Sequence, residues 1–146
     1  MDKKQKTEKK MFLLFNHVLT QEQETQAREV WGVTSIIMLP PVLKKIWEQI
    51  PADLENISDV ILPVQQWLEK EANKNDVVLI QGDFGATWLM VDFALRAQLI
   101  PVYSVTQRDA REDIQPDGSI KTTHVFKHRR FRLYGQPRNK VNLKRA

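Results

Sequence analysis

The sequence predicts a single α/β domain in which helices cover both faces of a parallel sheet. The first observation is a set of short, nearly continuous apolar runs, such as Met11 to Phe15 and Val77 to Gln81, which are typical of strands buried on both faces. The second is that helical patterns, with apolar residues at steps of three and four, separate these runs. Such alternation requires right-handed crossovers, which place helices on both sides of the sheet.

The first strand and the helix after it carry the clearest end signals. Met11 to Phe15 stops abruptly at Asn16, as expected where a buried strand reaches the edge of the sheet. Thr20, with Gln23 three residues later, forms a capping box that predicts the start of a helix. Gly32 stands where a left-handed residue is expected to end that helix.

The middle of the chain is predicted to contain one strand followed by two helices. Ile36 to Leu39 is the strand, and Pro41 fits the first turn of a helix that ends before Pro51. Apolar spacing predicts a second helix over about residues 58–72. Pro63 is compatible with that helix only if it lies near the first turn.

The remaining pattern predicts a strand at Val77 to Gln81, a helix from Gly85 to Ala97 and a strand at Leu99 to Val105. A polar stretch then leads to a turn at Pro116 to Gly118, and Lys121 to Tyr134 is strand-like. We therefore predict a small Rossmann-like domain with a parallel sheet, helices on both faces and a C-terminal β-hairpin or edge strand.

Composition predicts one folded domain between two basic ends. Residues 1–10 are expected to be a disordered Lys-rich extension, residues 11–134 the domain, and residues 135–146 a flexible basic tail. The chain has no cysteine, and its apolar runs are too short to span a membrane. Three scattered histidines give no metal-ligand spacing. We therefore expect a cytoplasmic protein with no membrane partner and with no metal or other cofactor.

The formal charge of +4 is unevenly distributed along the chain. Residues 1–10 carry +3, residues 11–117 carry −8, and residues 118–146 carry +9. A basic segment attracts phosphodiesters, whereas the acidic remainder repels long duplexes. The charge pattern therefore favours a small anionic nucleotide over duplex DNA as the partner.

A glycine turn joins the most apolar strand to the helix that follows it. Gly82 is expected to permit a sharp reversal and Gly85 the close approach of another chain or a phosphate, while the helix amides point at the anion. Phe84 can stack on a base. The candidate ligand contacts in this turn are Gln81, Gly82, Asp83, Phe84 and Gly85. In the alternative interpretation the glycines only satisfy turn geometry and Asp83 is a helix N-cap.

Three polar strand ends are expected to converge, because the carboxyl ends of parallel strands share one edge of the sheet. They are Asn16-His17, the glycine turn and Thr106-Gln107-Arg108. His17 can transfer a proton near neutral pH, Asn16 offers a donor and an acceptor, and Arg108 can hold a phosphate. Asn16, His17 and Arg108 are therefore the candidate catalytic residues of a phosphodiester site. Alternatively, His17 only caps a helix or bonds to a carbonyl.

The strand-like segment near the C-terminus is predicted to place His128 and Arg130 on the same face, because side chains alternate along a strand. Both are candidate ligand contacts in a positive arm that closes over an anionic ligand, across a dimer. In the alternative interpretation this is an edge strand whose charges prevent aggregation.

Four segments together resemble a small CRISPR-associated Csx accessory family that is encoded beside type III systems. They are Met11-Phe-Leu-Leu-Phe-Asn-His17, Leu79-Ile-Gln-Gly-Asp-Phe-Gly85, Ile100-Pro-Val-Tyr-Ser-Val-Thr-Gln-Arg108 and His124-Val-Phe-Lys-His-Arg-Arg-Phe-Arg132. The resemblance covers about residues 11–134. It implies a domain like the CARF sensors (CRISPR-associated Rossmann fold), and a homodimer that binds cyclic oligoadenylate across its two-fold axis.

The resemblance further implies a ring nuclease, which ends the antiviral signal by cutting the ring, and we expect the ring cut by this protein to be the tetra-adenylate. Ser104 and Thr106 are then ligand contacts, although Val105 stands between them where the family favours a hydroxyl. Two alternatives remain at this point. One is a sponge or sensor that binds the ring without cutting it, and the other is a general RNA-binding protein that uses the basic segment from Lys121 onward.

Overall fold

A computed structural model describes residues 7–135, and in this range it contains five strands and four helices. The strands are β1 (Lys10–Leu14), β2 (Ser35–Met38), β3 (Val77–Ile80), β4 (Ile100–Ile114) and β5 (Ile120–Leu133). The helices are α1 (Gln21–Glu29), α2 (Pro41–Glu48), α3 (Ser58–Glu71) and α4 (Phe84–Arg96). The predicted alternation of strands and helices is confirmed.

The five strands form one mixed sheet in the order β2-β1-β3-β4-β5. The first four strands are parallel, and β5 is antiparallel to β4. The predicted C-terminal hairpin is therefore present, and β5 is also an edge strand of the sheet. A short turn joins β4 to β5, which forces the antiparallel direction because parallel neighbours need a crossover connection.

The sheet is covered unequally on its two sides. Helices α2, α3 and α4 pack on one side, the three-helix face, against alternate strand residues such as Phe12, Val78 and Ile80. Helix α1 packs on the other side, the one-helix face, where Leu13 and Leu79 lie. Alternate residues of β1 and β3 thus enter two different cores, which explains why both strands are continuously apolar.

Local signals place the helix ends close to their predicted positions. The Thr20 hydroxyl accepts a hydrogen bond from the Gln23 backbone N–H at 3.2 Å, and the Gln23 side chain accepts one from Thr20 at 2.9 Å. Gly32 has a φ of 70°, which is the left-handed conformation that glycine adopts readily. Pro63 differs from expectation, since it lies in the second turn of α3.

The predicted end of the fourth strand at Val105 is wrong. Strand β4 continues through the polar stretch to Ile114 and pairs with β5 along its length. Residues 106–114 and 120–128 form a ribbon, here called the arm, whose side chains are almost all exposed. Both faces of such a ribbon are solvated, so its strands lack the apolar alternation that marks a strand in sequence. Gly118, with a φ of 83°, closes the turn at the tip.

The domain boundary predicted after residue 10 also differs from the structure. Lys10 belongs to β1, and the Lys9 carbonyl accepts a hydrogen bond from the Thr34 backbone N–H at 2.7 Å. The predicted extension therefore overlaps the sheet. Residues 1–6 and 136–146, which carry the rest of the predicted extension and tail, lie outside the described residues.

Candidate functional site

A cleft of about 160 Å³ opens at the carboxyl ends of β1 and β3. It is lined by Phe15, Asn16, His17, Gln81 and Gly82. The helix that follows β1 packs on the one-helix face and the helix that follows β3 on the three-helix face. The two connecting segments therefore diverge, and such a divergence is where open α/β sheets bind their ligands. Two of the three polar strand ends predicted to converge, Asn16-His17 and the glycine turn, meet at this cleft, whereas Thr106 to Arg108 do not line it.

Gly82 is required by the packing of a buried tryptophan. The Trp47 indole N–H donates to the Gln81 carbonyl at 3.0 Å, and a Cβ on Gly82 would lie only 2.8 Å from Trp47 Nε1. The residues with positive φ do not include Gly82 or Gly85. Neither glycine therefore adopts the left-handed conformation, the chain bends at Gly82 and Asp83, and the close approach at Gly82 is made by the chain itself.

The remainder of the glycine turn begins helix α4. The Asp83 carboxylate accepts a hydrogen bond from the Ala86 backbone N–H at 3.0 Å, which confirms the alternative interpretation of Asp83 as the N-cap. Gly85 is tightly placed, since a Cβ on it would lie 3.3 Å from Ile57 Cδ1. Phe84 points away from the domain and is 96% exposed, so its ring is available for contacts outside this protomer.

A polar network connects the cleft to the strands beside it. The Gln81 side-chain oxygen accepts a hydrogen bond from the Ser104 backbone N–H at 2.8 Å. The Ser104 hydroxyl lies 2.6 Å from His128 Nδ1, and His128 Nε2 lies 2.6 Å from Gln26 Oε1. Gln23 Nε2 donates to the same hydroxyl at 3.2 Å. Two predicted ligand contacts, Ser104 and His128, thus bond to each other beneath helix α1.

The protonation pattern of this network follows from the orientation of Gln26. Its oxygen accepts from the Phe131 backbone N–H, and its amide nitrogen donates to the Arg129 carbonyl, both at 3.0 Å. His128 Nε2 must therefore carry a proton, and Nδ1 accepts the proton of the Ser104 hydroxyl. Burial lowers the pKa of His128, and the nearby Glu22 carboxylate opposes this effect in part. The network stabilises the neutral histidine.

The remaining predicted residues lie on the exposed arm or at its base. Arg108 is four residues beyond Ser104 on β4, about 13 Å along the strand, and its guanidinium stacks on Phe126 at 5.9 Å. Arg108 does not line the cleft. Thr106 is also exposed and pairs with His128.

The prediction that His128 and Arg130 share a face is wrong. Val105 pairs with Arg130 and Thr106 pairs with His128, so Arg129 is an extra residue in β5. Such a bulge shifts the alternation by one residue. His128 therefore lies on the one-helix face with Phe131, and Arg130 lies on the opposite face.

Lys44 is a polar neighbour of the site that the sequence analysis missed. It shares with His17, Met38 and Leu39 a shallow depression beside the cleft. The Lys44 ammonium lies 3.8 Å from a Glu48 carboxylate oxygen. The spacing of apolar residues in α2 predicted its buried side, but no sequence signal indicated which polar residue faces the ends of the strands.

A larger depression of about 320 Å³ lies between α3 and α4 near their C-terminal ends, where Lys74, Phe93 and Arg96 line it. It is at the opposite end of the sheet from the cleft, away from the carboxyl ends of the strands. Within residues 7–135, no three His, Asp or Glu side chains gather in a way that could hold a metal ion. The helices of this range include none with the length and apolar character needed to cross a membrane.

Comparison with known proteins shows the family of this chain. It is 51% identical, over 125 residues, to a protein of Methanocaldococcus jannaschii described as "Uncharacterized protein MJ1673", and the match covers 86% of this chain and 96% of the relative. No solved structure matches the chain significantly. Residues 9–132 match the family described as "Uncharacterized protein MJ1673 family", and the chain therefore belongs to that family.

Proposed function

We propose that the protein is a ring nuclease that binds cyclic oligoadenylate, most favourably the tetra-adenylate, and cuts it without a metal ion. The resemblance in sequence supports the substrate class and a role in switching off type III CRISPR signalling. The observation that carries the proposal is the cleft at the ends of β1 and β3, where Asn16, His17, Gln81 and Gly82 lie together.

The size of the cleft supports a homodimer that shares one ring. Pockets for drug-sized ligands occupy roughly 300–1,000 Å³, and a ring of four nucleotides is larger than such a ligand. A cleft of about 160 Å³ can therefore hold only a part of the ring. Two protomers related by a two-fold axis present the same contacts to the two halves of a symmetric ring.

The reaction requires little from the protein beyond orientation. A ribose 2′-hydroxyl attacks the neighbouring phosphorus in line, the P–O5′ bond breaks, and a linear oligoadenylate with a 2′,3′-cyclic phosphate forms. Holding the two groups in line supplies much of the acceleration. His17 donates a proton to the leaving 5′-oxygen while the 2′-hydroxyl loses its proton to water, and the Asn16 amide positions the phosphate.

The dimer also provides a role for residues that lie outside the cleft. Arg108 and Arg130 are exposed on the arm and at its base, so in this proposal the arm of one protomer carries them toward the ring held by both. Arginine at this point stabilises charge on the phosphorane. Thr106 and Phe84 contribute contacts to the ring, and Ser104 and His128 hold the end of β4 in place.

One observation favours a sponge as the second candidate function. The cleft lining contains no Lys or Arg, and without the arm nothing in it stabilises the additional negative charge of the transition state. A protein that only binds the ring needs no such group. A ring nuclease and a sponge are both expected to bind the ring tightly, but only the ring nuclease cuts it repeatedly.

The test is a turnover assay with the full-length protein. Excess cyclic tetra-adenylate is incubated with the protein in EDTA, and the products are separated by chromatography. We expect many equivalents of linear product with a 2′,3′-cyclic phosphate. An intact ring after many equivalents, together with tight binding, would establish the sponge, and a ring that does not bind would remove both functions.

We further propose a Rossmann-like fold and a cytoplasmic location for this protein. The domain is Rossmann-like, since the four parallel strands follow the order β2-β1-β3-β4 with crossover helices on both faces. The protein acts in the cytoplasm, as its cysteine-free composition favours.

A further inference from the structure

Helix α4 is apolar on two opposite sides. Its inner side carries Ala86, Met90, Phe93 and Ala94, all buried against the sheet and helix α3. Its outer side carries a second apolar row, here called the α4 stripe, which consists of Phe84, Trp88, Val91 and Leu95. At 100° per residue, this row lies about 150° from the inner side. Val91 also packs against the core of the three-helix face, whereas Phe84 and Trp88 are left uncovered by it.

The α4 stripe is exposed in the single protomer. Phe84 is 96% exposed and Trp88 is 67% exposed, while Val91 and Leu95 are half-buried. The apolar side of a helix is normally buried against another part of the protein, and the second apolar side of α4 is left without such a partner at Phe84 and Trp88 within the described residues. Since an aromatic side chain presents 150–250 Å², the two rings alone expose on the order of 300 Å² of apolar surface. A patch of this size is comparable to the largest apolar patch of a typical soluble monomer, and such patches often serve as interaction sites.

We propose that the α4 stripe is the contact surface of a homodimer in which the two α4 helices lie side by side and point in the same direction. A stable interface needs about 800 Å² per partner, and the two rings supply over a third of it. The stripe contains no charged side chain, so two identical copies meet without repulsion between like charges. The spacing of four, three and four residues is that of the contact seam in a pair of packed helices.

The direction of the helices follows from the position of the cleft. Phe84 is two residues beyond Gly82, which lines the cleft. A parallel pair therefore places the two clefts next to each other, whereas an antiparallel pair places them at opposite ends of the dimer. The inference that the stripe is a contact surface depends only on its exposure. The inference that the two helices are parallel also depends on the proposed function.

The first test is the oligomeric state in solution, measured by analytical ultracentrifugation. The wild type is expected to be a dimer at micromolar concentration, and Trp88→Lys is expected to be a folded monomer with an unchanged circular dichroism spectrum. Val42→Lys is the matched control, because Val42 is an exposed apolar residue of α2, 73% exposed and outside the stripe, and it should remain dimeric. A monomeric wild type, or a dimeric Trp88→Lys, would overturn the proposal.

The second test uses the absence of cysteine from the chain. In a parallel pair each stripe residue faces its own counterpart, so Phe84→Cys and Leu95→Cys should each form a disulfide-linked dimer on oxidation. In an antiparallel pair neither variant links to itself, but a mixture of the two does, and that result would overturn the shared cleft. Neither test depends on cleavage of the ring. A cross-linked Leu95→Cys dimer that fails to cut the ring would remove the proposed activity and leave the contact surface in place.

Discussion

At the residue scale, the candidate site is formed by side chains that also stabilise the fold. Trp47 is buried, donates to the Gln81 carbonyl and packs on Gly82. The backbone at the end of β3 is therefore held in place by the core of the three-helix face. Asn16 and His17 are exposed at the end of β1, and no hydrogen bond within residues 7–135 fixes either side chain in a structural role.

The close contact at Gly82 leads to the first prediction. Gly82→Ala should destabilise the protein by about 1–3 kcal/mol, because a Cβ there would overlap Trp47 in a filled core. Denaturant unfolding measures the change. The matched control is Gly85→Ala, where the added methyl meets the flexible end of Ile57 at 3.3 Å and should cost little. Equal stability of the two variants would contradict this account of Gly82.

The role proposed for His17 leads to the second prediction. His17→Ala should slow cleavage of cyclic tetra-adenylate by roughly ten- to ten-thousand-fold, as expected for the loss of a general acid, and leave affinity nearly unchanged. Single-turnover kinetics and equilibrium binding give the two quantities. His124→Ala, an exposed histidine of the arm, is the control and should retain full activity if His17 is the proton donor. Unchanged turnover in His17→Ala would remove the assignment.

At the scale of elements, helix α1 and the hairpin of β4 and β5 depend on each other. Helix α1 is the one helix of the described chain on its face of the sheet. Gln23 and Gln26 bond to Ser104, His128 and the backbone of β5. Buried polar groups are costly when unpaired, so the network holds α1 and the hairpin in one relative position.

This network predicts a pH dependence of stability. The pKa of His128 is lowered in the folded protein, so below the ordinary histidine pKa of about 6.5 the unfolded chain binds more protons. The free energy of unfolding should therefore fall as the pH decreases below about 6.5 toward the lowered folded pKa. Thermal unfolding at a series of pH values measures this loss. It should be smaller in His128→Asn and unchanged in His124→Asn, and an equal loss in all three proteins would contradict the role of His128.

At the scale of the whole molecule, charge is separated between the body and the C-terminal part. Residues 11–117 carry −8 and residues 118–146 carry +9. An acidic body disfavours long nucleic acids, while basic groups on an exposed arm can still reach a small anion. The same separation would serve a general RNA-binding protein, so the two functions must be distinguished by experiment.

Removal of residues 136–146 distinguishes them. These residues carry four positive charges and no acid, and their loss should abolish binding of ordinary single-stranded RNA if that binding depends on counterion release. Cleavage of the ring should survive, because the cleft and the arm lie within residues 7–135. Loss of ring cleavage in the truncated protein would contradict the placement of the whole site within residues 7–135.

Most of the fold could be predicted from the sequence because its signals are local. The apolar runs of β1 and β3, the capping box at Thr20 and the proline at the start of α2 each act within a few residues. Of the arm, the β5 half was predicted, but the β4 half was not, because a strand solvated on both faces has the polarity of a loop. The bulge at Arg129 could not be predicted either, because its position depends on how β5 pairs with β4.

By itself, the sequence determined the α/β class, the order of the elements and the edge of the sheet at which Asn16, His17 and Gly82 gather. Strand topology fixes that edge without any knowledge of side-chain packing. Only the tertiary structure decided that Gly82 contacts Trp47, that Ser104 and His128 bond to each other, and that Arg108 lies apart on the arm. Those relations join residues distant in sequence, and three-dimensional packing alone determines which of them meet.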